Sequence, residues 1–332
     1  MSSTNISLQV KKLAKLSGVA RQQKFSAIEN ENKILYALAK FGWLTSHQIA
    51  NLLWPERPSG HDLARRALTK LCKESFVNAE IMQRSSHRQI KAFYLRRKGM
   101  KRLKEIDSLY KFIRVQKTKR SITDPKYQYH RLISNQVLID IRNNRLPIAL
   151  EGSSYVLMNE HEMKPFRRLL NEHFGCIPDS LIKVDTTMIV VEVENSTRGP
   201  ARHGSKLRQE GSKLEGWLPV YIERLRSQRQ YSGHLMCWGN TGYYSDAIEI
   251  FVCTSEKIFR SIWRKMYKLL GQFNDLDNFI YYIVMNEELW IDPLRAGNVK
   301  ILEHNSSEAR QLVAVGEERT KGYKKRESKT KK

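Results

Sequence analysis

The sequence predicts an α+β protein built from two domains, and three observations support this. The chain has 332 residues, enough for two domains that each bury a hydrophobic core. Its first third shows helical periodicity followed by two short alternating segments, whereas the later part mixes strand-like and helical segments. Its basic residues are concentrated in two blocks. We therefore expect a small basic domain followed by a larger α/β domain with a mixed central sheet.

The charge is distributed unevenly along the chain. Residues 1–120 contain 26 Lys and Arg against 8 Asp and Glu, and residues 319–332 contain 8 against 1. Residues 121–318 contain 24 against 25 and are nearly neutral. Because clustered basic residues attract polyanions, we expect double-stranded DNA to bind the first third and the tail. The alternative interpretation is a basic chain kept soluble by its charge.

Cysteine usage and hydropathy indicate the compartment. The four cysteines lie far apart and form no Cys-x-x-Cys pair, which predicts reduced core residues rather than a zinc site. The sequence has no run of about 18 apolar residues, and its start lacks the apolar core of a signal peptide. We therefore expect a cytoplasmic protein with no membrane partner.

Three short helices are predicted in the N-terminal domain. Residues 29–42 place apolar side chains on one face and end at Gly42, while Thr45 or Ser46 can cap a second helix that ends before Pro55. A third helix begins near His61. Its apolar face is formed by Leu63, Ala67, Leu68 and Leu71, and its polar face by Arg65, Arg66, Thr69, Lys70 and Lys73. A helix with an apolar face and a basic back suits the major groove of DNA.

A β-hairpin follows the third helix. Residues 79–84 and 90–96 alternate apolar and polar side chains, and the segment around their connection carries Arg84, His87 and Arg88. Three helices and a basic hairpin are typical of a winged helix-turn-helix domain, which we place at residues 29–115 after a basic arm at 1–28. The eight basic and polar residues of the third helix and the wing are the predicted DNA contacts. The alternative is a dimerisation module, since many winged helices contact protein.

The second domain follows a polar linker at 116–126 and extends over residues 127–310. It begins with a periodic helix at 127–144, continues with a second helix near 160–174, and contains strands from 177 onward. A basic helix is expected at about 203–227. The tail at 311–332 is too polar to fold alone, and we expect it to be a disordered basic arm.

Two glutamates lie in a strongly apolar strand of this domain. Glu192 and Glu194 occupy alternate positions and point to the same side of the strand. Burying them is costly unless they bind a cation or pair with a basic residue. With Asp179 on the preceding strand, three carboxylates can converge on a hard divalent ion, Mg²⁺ or Mn²⁺, which can activate water. The alternative is an edge strand whose glutamates pair with Arg198, Arg202 or Lys206.

The order of these motifs suggests a family. The motifs are Tyr129-His130, the acidic segment at 159–162, Ile177-Pro178-Asp179 and the segment from Glu192 to Thr197. Over residues 29–290 the chain resembles the replication-relaxation proteins of plasmids and integrative elements, and the conjugative relaxases built on a restriction-nuclease-like fold.

The resemblance implies a restriction-endonuclease-like domain with a divalent-ion site of the PD-(D/E)xK type, in an enzyme that nicks or relaxes DNA at a transfer or replication origin. Pro178-Asp179 matches the first half of that motif and Glu192 the second. Glu194 stands where such nucleases usually carry Lys, which weakens the case for hydrolysis. Lys183 or Lys206 can supply the missing cation, and Glu151, Glu160 or Glu162 can add a ligand. The expected catalytic residues are Asp179, Glu192, Glu194 and Lys206.

Two further interpretations remain open. A relaxase-type transesterification would use a tyrosine nucleophile, and the 14 tyrosines give no basis for choosing one. A non-catalytic origin-binding or transcription-regulating protein with an inactive nuclease-like domain is the alternative that the missing lysine favours. The resemblance also implies relaxosome or origin proteins as partners and association with a plasmid or the bacterial nucleoid, and it leaves a homodimer open.

Overall fold

The computed structural model forms two compact units, residues 1–125 and 126–332. The residues that it describes are 18–83, 89–106, 125–143, 155–163, 166–168, 170, 177–184, 187–194, 233–237, 240–244, 246–270, 280–285 and 299–314. Among the helices in these ranges, none combines the length and apolar character needed to cross a membrane.

The first unit consists of helices around a small antiparallel sheet. Its elements are α1 (Gly18–Phe41), β1 (Leu44–Thr45), α2 (Ser46–Leu53), α3 (Gly60–Lys73), β2 (Val77–Gln83), β3 (Gln89–Leu95) and α4 (Arg97–Ile106). The strand order is β1-β3-β2. This order of elements is that of a helix-turn-helix followed by a hairpin wing.

Helix α1 is longer than the sequence pattern predicted. It starts at Gly18 rather than near residue 29, so residues 18–28, which we assigned to the basic arm, are helical. This prediction was wrong because it relied on an apolar face, and residues 26–29 are exposed. The helix ends at Gly42 as predicted. Gly42 has φ 78° and donates its N–H to the Leu38 carbonyl at 2.9 Å.

The helix-turn-helix is fixed at the start of α2 and across the turn. Thr45 accepts a hydrogen bond from the Gln48 N–H at 3.1 Å, and the Gln48 side chain accepts one from the Thr45 N–H at 3.0 Å. This reciprocal capping box satisfies two N–H groups at the helix start. Across the turn, the rings of His47 and His61 stack with centroids 3.9 Å apart.

The core of the first unit contains most of the predicted apolar residues. Leu68 and Leu71 of α3 are fully buried against the apolar face of α1. The apolar residues of α1 in this core are Ile34, Leu35, Leu38 and Phe41. Ile106, which we expected to face inward, is 47% exposed, because the core face of α4 ends at Leu103. The continuation of that prediction, Leu109, Tyr110 and Ile113, lies outside the described residues.

The second unit is built on a six-stranded mixed sheet. Its elements are α5 (Pro125–Arg142), β4 (Tyr155–Asn159), α6 (Glu160–Met163), β5 (Ser180–Val184), β6 (Thr187–Glu194), β7 (Gly233–Cys237), β8 (Asn240–Tyr244), β9 (Asp246–Cys253), α7 (Glu256–Leu270), β10 (Ile280–Met285) and β11 (Val299–Glu303). The sheet order is β11-β10-β9-β6-β5-β4, and β7 pairs separately with β8. Strands β6, β9 and β10 are parallel, whereas β4, β5 and β11 pair antiparallel with their neighbours. The mixed sheet was predicted.

Each face of this sheet is covered by a helix. Val190, Phe251 and Tyr282 lie on one face and form a core with Phe259 and Trp263 of α7. On the other face, Ser180 of β5 shares a 2.7 Å hydrogen bond with Ser134 of α5. The polar Ser134 is itself buried, as are all side chains from Arg131 to Ile141. The helix-sheet-helix layering follows from burying both sides of apolar strands.

Several elements were not predicted, namely β4, the β7–β8 hairpin and β11. Their segments lack the β-branched alternation that identified β6 and β9. The predicted strand at 147–150, the basic helix at 203–227 and most of the basic tail lie outside the described residues.

Candidate functional sites: a basic helix face and an acidic sheet edge

Helix α3 presents basic and polar side chains on its outer face. Arg65, Arg66, Thr69, Lys70 and Lys73 are all exposed, while Ala64, Leu68 and Leu71 are buried. The Arg65 side chain is 70% exposed and lies 3.5 Å from Asp62. Exposed ion pairs of this kind are weak and exchange easily for a phosphate. We call these five residues the basic face of α3.

Lys70 differs from the other members of the basic face. Its Nζ lies 2.5 Å from Glu31 Oε1, and Arg102 Nη1 approaches the other oxygen of Glu31 at 3.2 Å. The Glu31 side chain is only 5% exposed. The Glu31 hydrogen bond raises the pKa of Lys70, against the smaller opposing effect of burial. Lys70, which we predicted to contact DNA, therefore also joins α3 to α1, and Arg102 joins α4 to the same carboxylate.

The predicted contacts on the wing cannot be placed in the same way. Arg84, His87 and Arg88 lie outside the described residues. The strands that lead to them are regular, with Val77 opposite Leu95 and Gln83 opposite Gln89.

The acidic residues of the second unit gather at one edge of the sheet. Strand β6 ends at Glu194, and β5, which runs antiparallel to it, begins just after Asp179. Strand β4 runs antiparallel to β5 and is followed directly by Glu160. The carboxyl ends of β4 and β6 and the amino end of β5 therefore meet at the same edge. We call this group, Glu160, Asp179, Glu192 and Glu194, the acidic edge.

Asp179 is held firmly at this edge. Its Oδ1 lies 2.7 Å from His130 Nε2, and its Oδ2 accepts a hydrogen bond from the Val193 N–H at 2.8 Å. Its carbonyl accepts a bond from Ser134 Oγ at 3.3 Å. A carboxylate oxygen has two lone pairs, so each oxygen of Asp179 retains an acceptor site besides these bonds.

His130 reports the negative charge of the edge. Burial lowers its pKa, but the charge and hydrogen bond of Asp179, together with Glu160 and Glu194, outweigh burial and raise the pKa above its ordinary value. The imidazole is therefore biased toward its charged form. Sequence motifs pointed to His130 without giving it a role, and the structure pairs it with Asp179.

The acidic residues proposed as extra ligands have separate contacts. Glu160 lies 3.8 Å from Arg131 Nε. Glu162 Oε2 accepts the Asn159 N–H at 3.2 Å, while Asn159 Oδ1 accepts the Glu162 N–H at 3.1 Å. This exchange caps α6 and gives Glu162 a structural role. Glu151 lies outside the described residues.

The missing lysine of the motif is not supplied by Lys183. Lys183 pairs with Met188 in the register of β5 and β6. Glu192 lies four residues further along β6, which places it about 13 Å from the level of Lys183. Lys206, the other candidate, lies outside the described residues.

Sequence reasoning missed Glu249, which lies in the middle of β9. It is 0% exposed, and neither of its carboxylate oxygens has a hydrogen-bond partner among the described residues. Burial, followed by the negative charges of Glu192 and Asp179, raises its pKa well above the ordinary value. The signal was available in the sequence, because a lone carboxylate in the apolar segment Ile-Glu-Ile-Phe-Val resembles the pattern that identified Glu192.

The acidic edge was tested for its fit to a divalent ion. Its oxygen-only donors, and the buried Glu249 without hydrogen bonds, match the ligand chemistry of Mg²⁺ or Mn²⁺. The geometry is not assembled, since the described part of the chain holds no group of three His, Cys, Asp or Glu side chains arranged to hold an ion. The donor chemistry therefore fits, whereas the present side-chain positions do not form a coordination shell.

These two features define a class: a two-unit α+β protein with a basic helix-turn-helix unit and a mixed-sheet unit that has an acidic edge. Within that class, the chain belongs to the replication-relaxation family, whose model matches residues 35–209, more than half of the sequence. The matched range includes α3, the hairpin and the acidic edge. Membership of this family indicates a DNA-related function in replication or in mobile elements.

Other comparisons add little detail. Among solved structures, the chain is similar to Bacillus subtilis PadR in complex with operator DNA, at 14% identity and a TM-score of 0.21. That match covers 59% of this chain and 96% of PadR. No curated protein matches the sequence.

Proposed function

We propose that this protein binds duplex DNA through the basic face of α3 and nicks or relaxes it at a transfer or replication origin, using the acidic edge with a divalent ion. The observation that carries the proposal is the basic face itself. Exposed Arg65 and Arg66 lie on the second helix of a helix-turn-helix. In such folds this helix enters the major groove, and arginine can bind guanine or phosphate there.

The nicking step is assigned to the acidic edge. Asp179 and Glu192 are the residues that would hold Mg²⁺ or Mn²⁺, with Glu194 as the third ligand implied by the family resemblance. When bound, the ion would supply Lewis-acid activation of the attacking oxygen and of the phosphate. The Val193 N–H and His130 hold the Asp179 carboxylate in place. A tyrosine nucleophile and the roles of Lys206 and the wing residues remain part of this proposal.

A second candidate is a non-catalytic origin-binding or transcription-regulating protein. Two observations favour it. Both oxygens of Asp179 already accept or share hydrogen bonds within the protein. In addition, no ion-binding group of three is assembled among the residues that the structure describes. Under this candidate the second unit would recruit origin proteins or a second copy of the chain.

DNA binding is tested with the double variant Arg65→Ala/Arg66→Ala. Each lost phosphate contact should reduce the slope of log affinity against log salt by about 0.9, so the double variant should reduce it by up to about 1.8. The control is Lys101→Ala/Lys104→Ala, which removes the same charge from exposed positions of α4. Fluorescence anisotropy over a salt series gives both slopes. Equal effects of the two double variants would show that net charge, not the basic face, binds DNA.

Nicking is tested with supercoiled plasmid carrying the element's own origin and Mg²⁺ or Mn²⁺. Wild-type protein should produce open circles, and Glu192→Gln should reduce the rate by at least about 100-fold, because a metal ligand is lost. Glu308→Gln, an exposed carboxylate elsewhere in the second unit, is the control. Binding without open circles from wild type would favour the non-catalytic candidate.

A further inference from the structure

Glu249 has an environment unlike that of the other carboxylates. In the sheet its register neighbours are Val190 on β6 and Ile280 on β10, and both are buried apolar residues. Its side chain has no exposed surface, and both of its oxygens lack hydrogen bonds among the described residues. Buried carboxylates are normally hydrogen-bonded or paired, because an unsatisfied one costs several kcal/mol. Glu249 therefore requires either a proton or a cation that neutralises it.

The nearest chemistry around Glu249 is acidic. Glu192 and Asp179 both lie close enough to act electrostatically on Glu249. Val190 is the register partner of Glu249, and Glu192 follows two residues later, so the side chains of Glu192 and Glu249 share one face of the sheet. Along the strand they are separated by about 7 Å, a diagonal distance that long side chains can span.

Glu194 is less well placed for the same ion. It lies four residues beyond Val190, about 13 Å along the strand from the level of Glu249. Its electrostatic influence reaches His130 and Cys253, and it is absent from the groups that act on Glu249. The third carboxylate of a shared ion is therefore better supplied by Glu249 than by Glu194.

We propose that Glu249 is the buried ligand of the divalent ion, together with Glu192 and Asp179, and that Glu194 lies outside this ligand set. The inference rests on the proposed nicking function and changes which residues carry it. Because the carboxylates are not yet arranged as a coordination shell, binding draws the Glu192 side chain toward Glu249. The hydrogen bonds of Asp179 leave lone pairs available to the ion.

The test measures Mn²⁺ binding to the full chain by electron paramagnetic resonance of free Mn²⁺, without DNA. Wild type should bind Mn²⁺, and Glu249→Gln and Glu192→Gln should each weaken binding by at least about tenfold. Glu194→Gln is the matched control and should change it by less than about twofold. Glu249→Asp, which keeps the charge but shortens the side chain, should lie between wild type and Glu249→Gln.

The outcomes separate this inference from the proposed function. If Glu249→Gln binds Mn²⁺ like wild type while Glu192→Gln does not, Glu249 is a buried neutral acid and only this inference is wrong. If Glu194→Gln abolishes binding and Glu249→Gln does not, the ligand set implied by the family resemblance is correct. If wild type binds no Mn²⁺, both the inference and the metal-dependent nicking function fail. Circular dichroism checks that each variant is folded, and Glu249→Asp replaces Glu249→Gln if the latter is not.

Discussion

At the scale of single residues, the acidic edge depends on how one carboxylate is oriented. Asp179 binds a backbone N–H on β6 and an imidazole on α5, so it joins the sheet to the helix that covers it. The sequence predicted Asp179, Glu192 and their common location, because alternation in an apolar strand fixes which side each residue faces. It could not predict Glu249 as their neighbour, since that contact depends on the pairing of β6 with β9, more than fifty residues later.

The raised pKa of His130 makes a pH-dependent prediction. A group whose pKa is higher in the folded state adds stability that is complete below its unfolded pKa, about 6.5 for histidine, and that disappears as pH rises through the folded value. Wild type should therefore be more stable than His130→Gln at about pH 5.5 and should lose that advantage toward about pH 9. The groups that favour the charged imidazole are Asp179, Glu160 and Glu194.

The comparison is best made locally, because the chain has two compact units. Hydrogen exchange of peptides from β6, measured at each pH in increasing urea, compares the two proteins under identical conditions. A difference between them that is the same at every pH would mean that the imidazole does not change its charge in this range.

At the scale of elements, α4 approaches the end of β2 very closely. A Cβ added at Gly99 would lie 2.4 Å from the Phe76 carbonyl oxygen, which also accepts the Arg96 N–H at 3.0 Å. That obstacle is backbone, so it cannot move aside as the end of a flexible side chain would. Glycine at position 99 is thus required by packing.

Gly99→Ala should destabilise the first unit by about 1–3 kcal/mol, the usual cost of overpacking. Lys104→Ala, an exposed change in the same helix, should alter stability by less than about 0.5 kcal/mol. Differential scanning calorimetry measures both. A loss for Gly99→Ala no larger than that for Lys104→Ala would show that the helix and the carbonyl separate at little cost.

Element prediction succeeded where local chemistry decides the structure. Gly42 ends α1, Thr45 caps α2, and the alternation of β6 and β9 identified the central strands. It failed for the first turns of α1, which have no buried face, and for Ile106, which follows the last core residue of α4. Helical periodicity gives no information where a helix extends beyond its packing partner.

At the scale of the whole molecule, charge and topology divide the same way. The basic block lies in the first compact unit, and the carboxylates gather at one edge of the second. Composition alone predicted the basic block. The order of the strands, with β9 beside β6 rather than after β5, could not be predicted, because non-local pairing leaves no local signal in one sequence.

The buried carboxylate of Glu31 affects how substitutions in α3 should be interpreted. Because Lys70 and Arg102 share it, removing any of the three leaves an uncompensated charge, and the helix loses an anchor as well as a potential phosphate contact. In an alanine scan, Lys70 would then score as a DNA contact even if it never touched DNA. Positions 31, 70 and 102 should therefore covary across relatives as a single unit, whereas Arg65 and Arg66 should vary with the DNA sequence that each relative recognises.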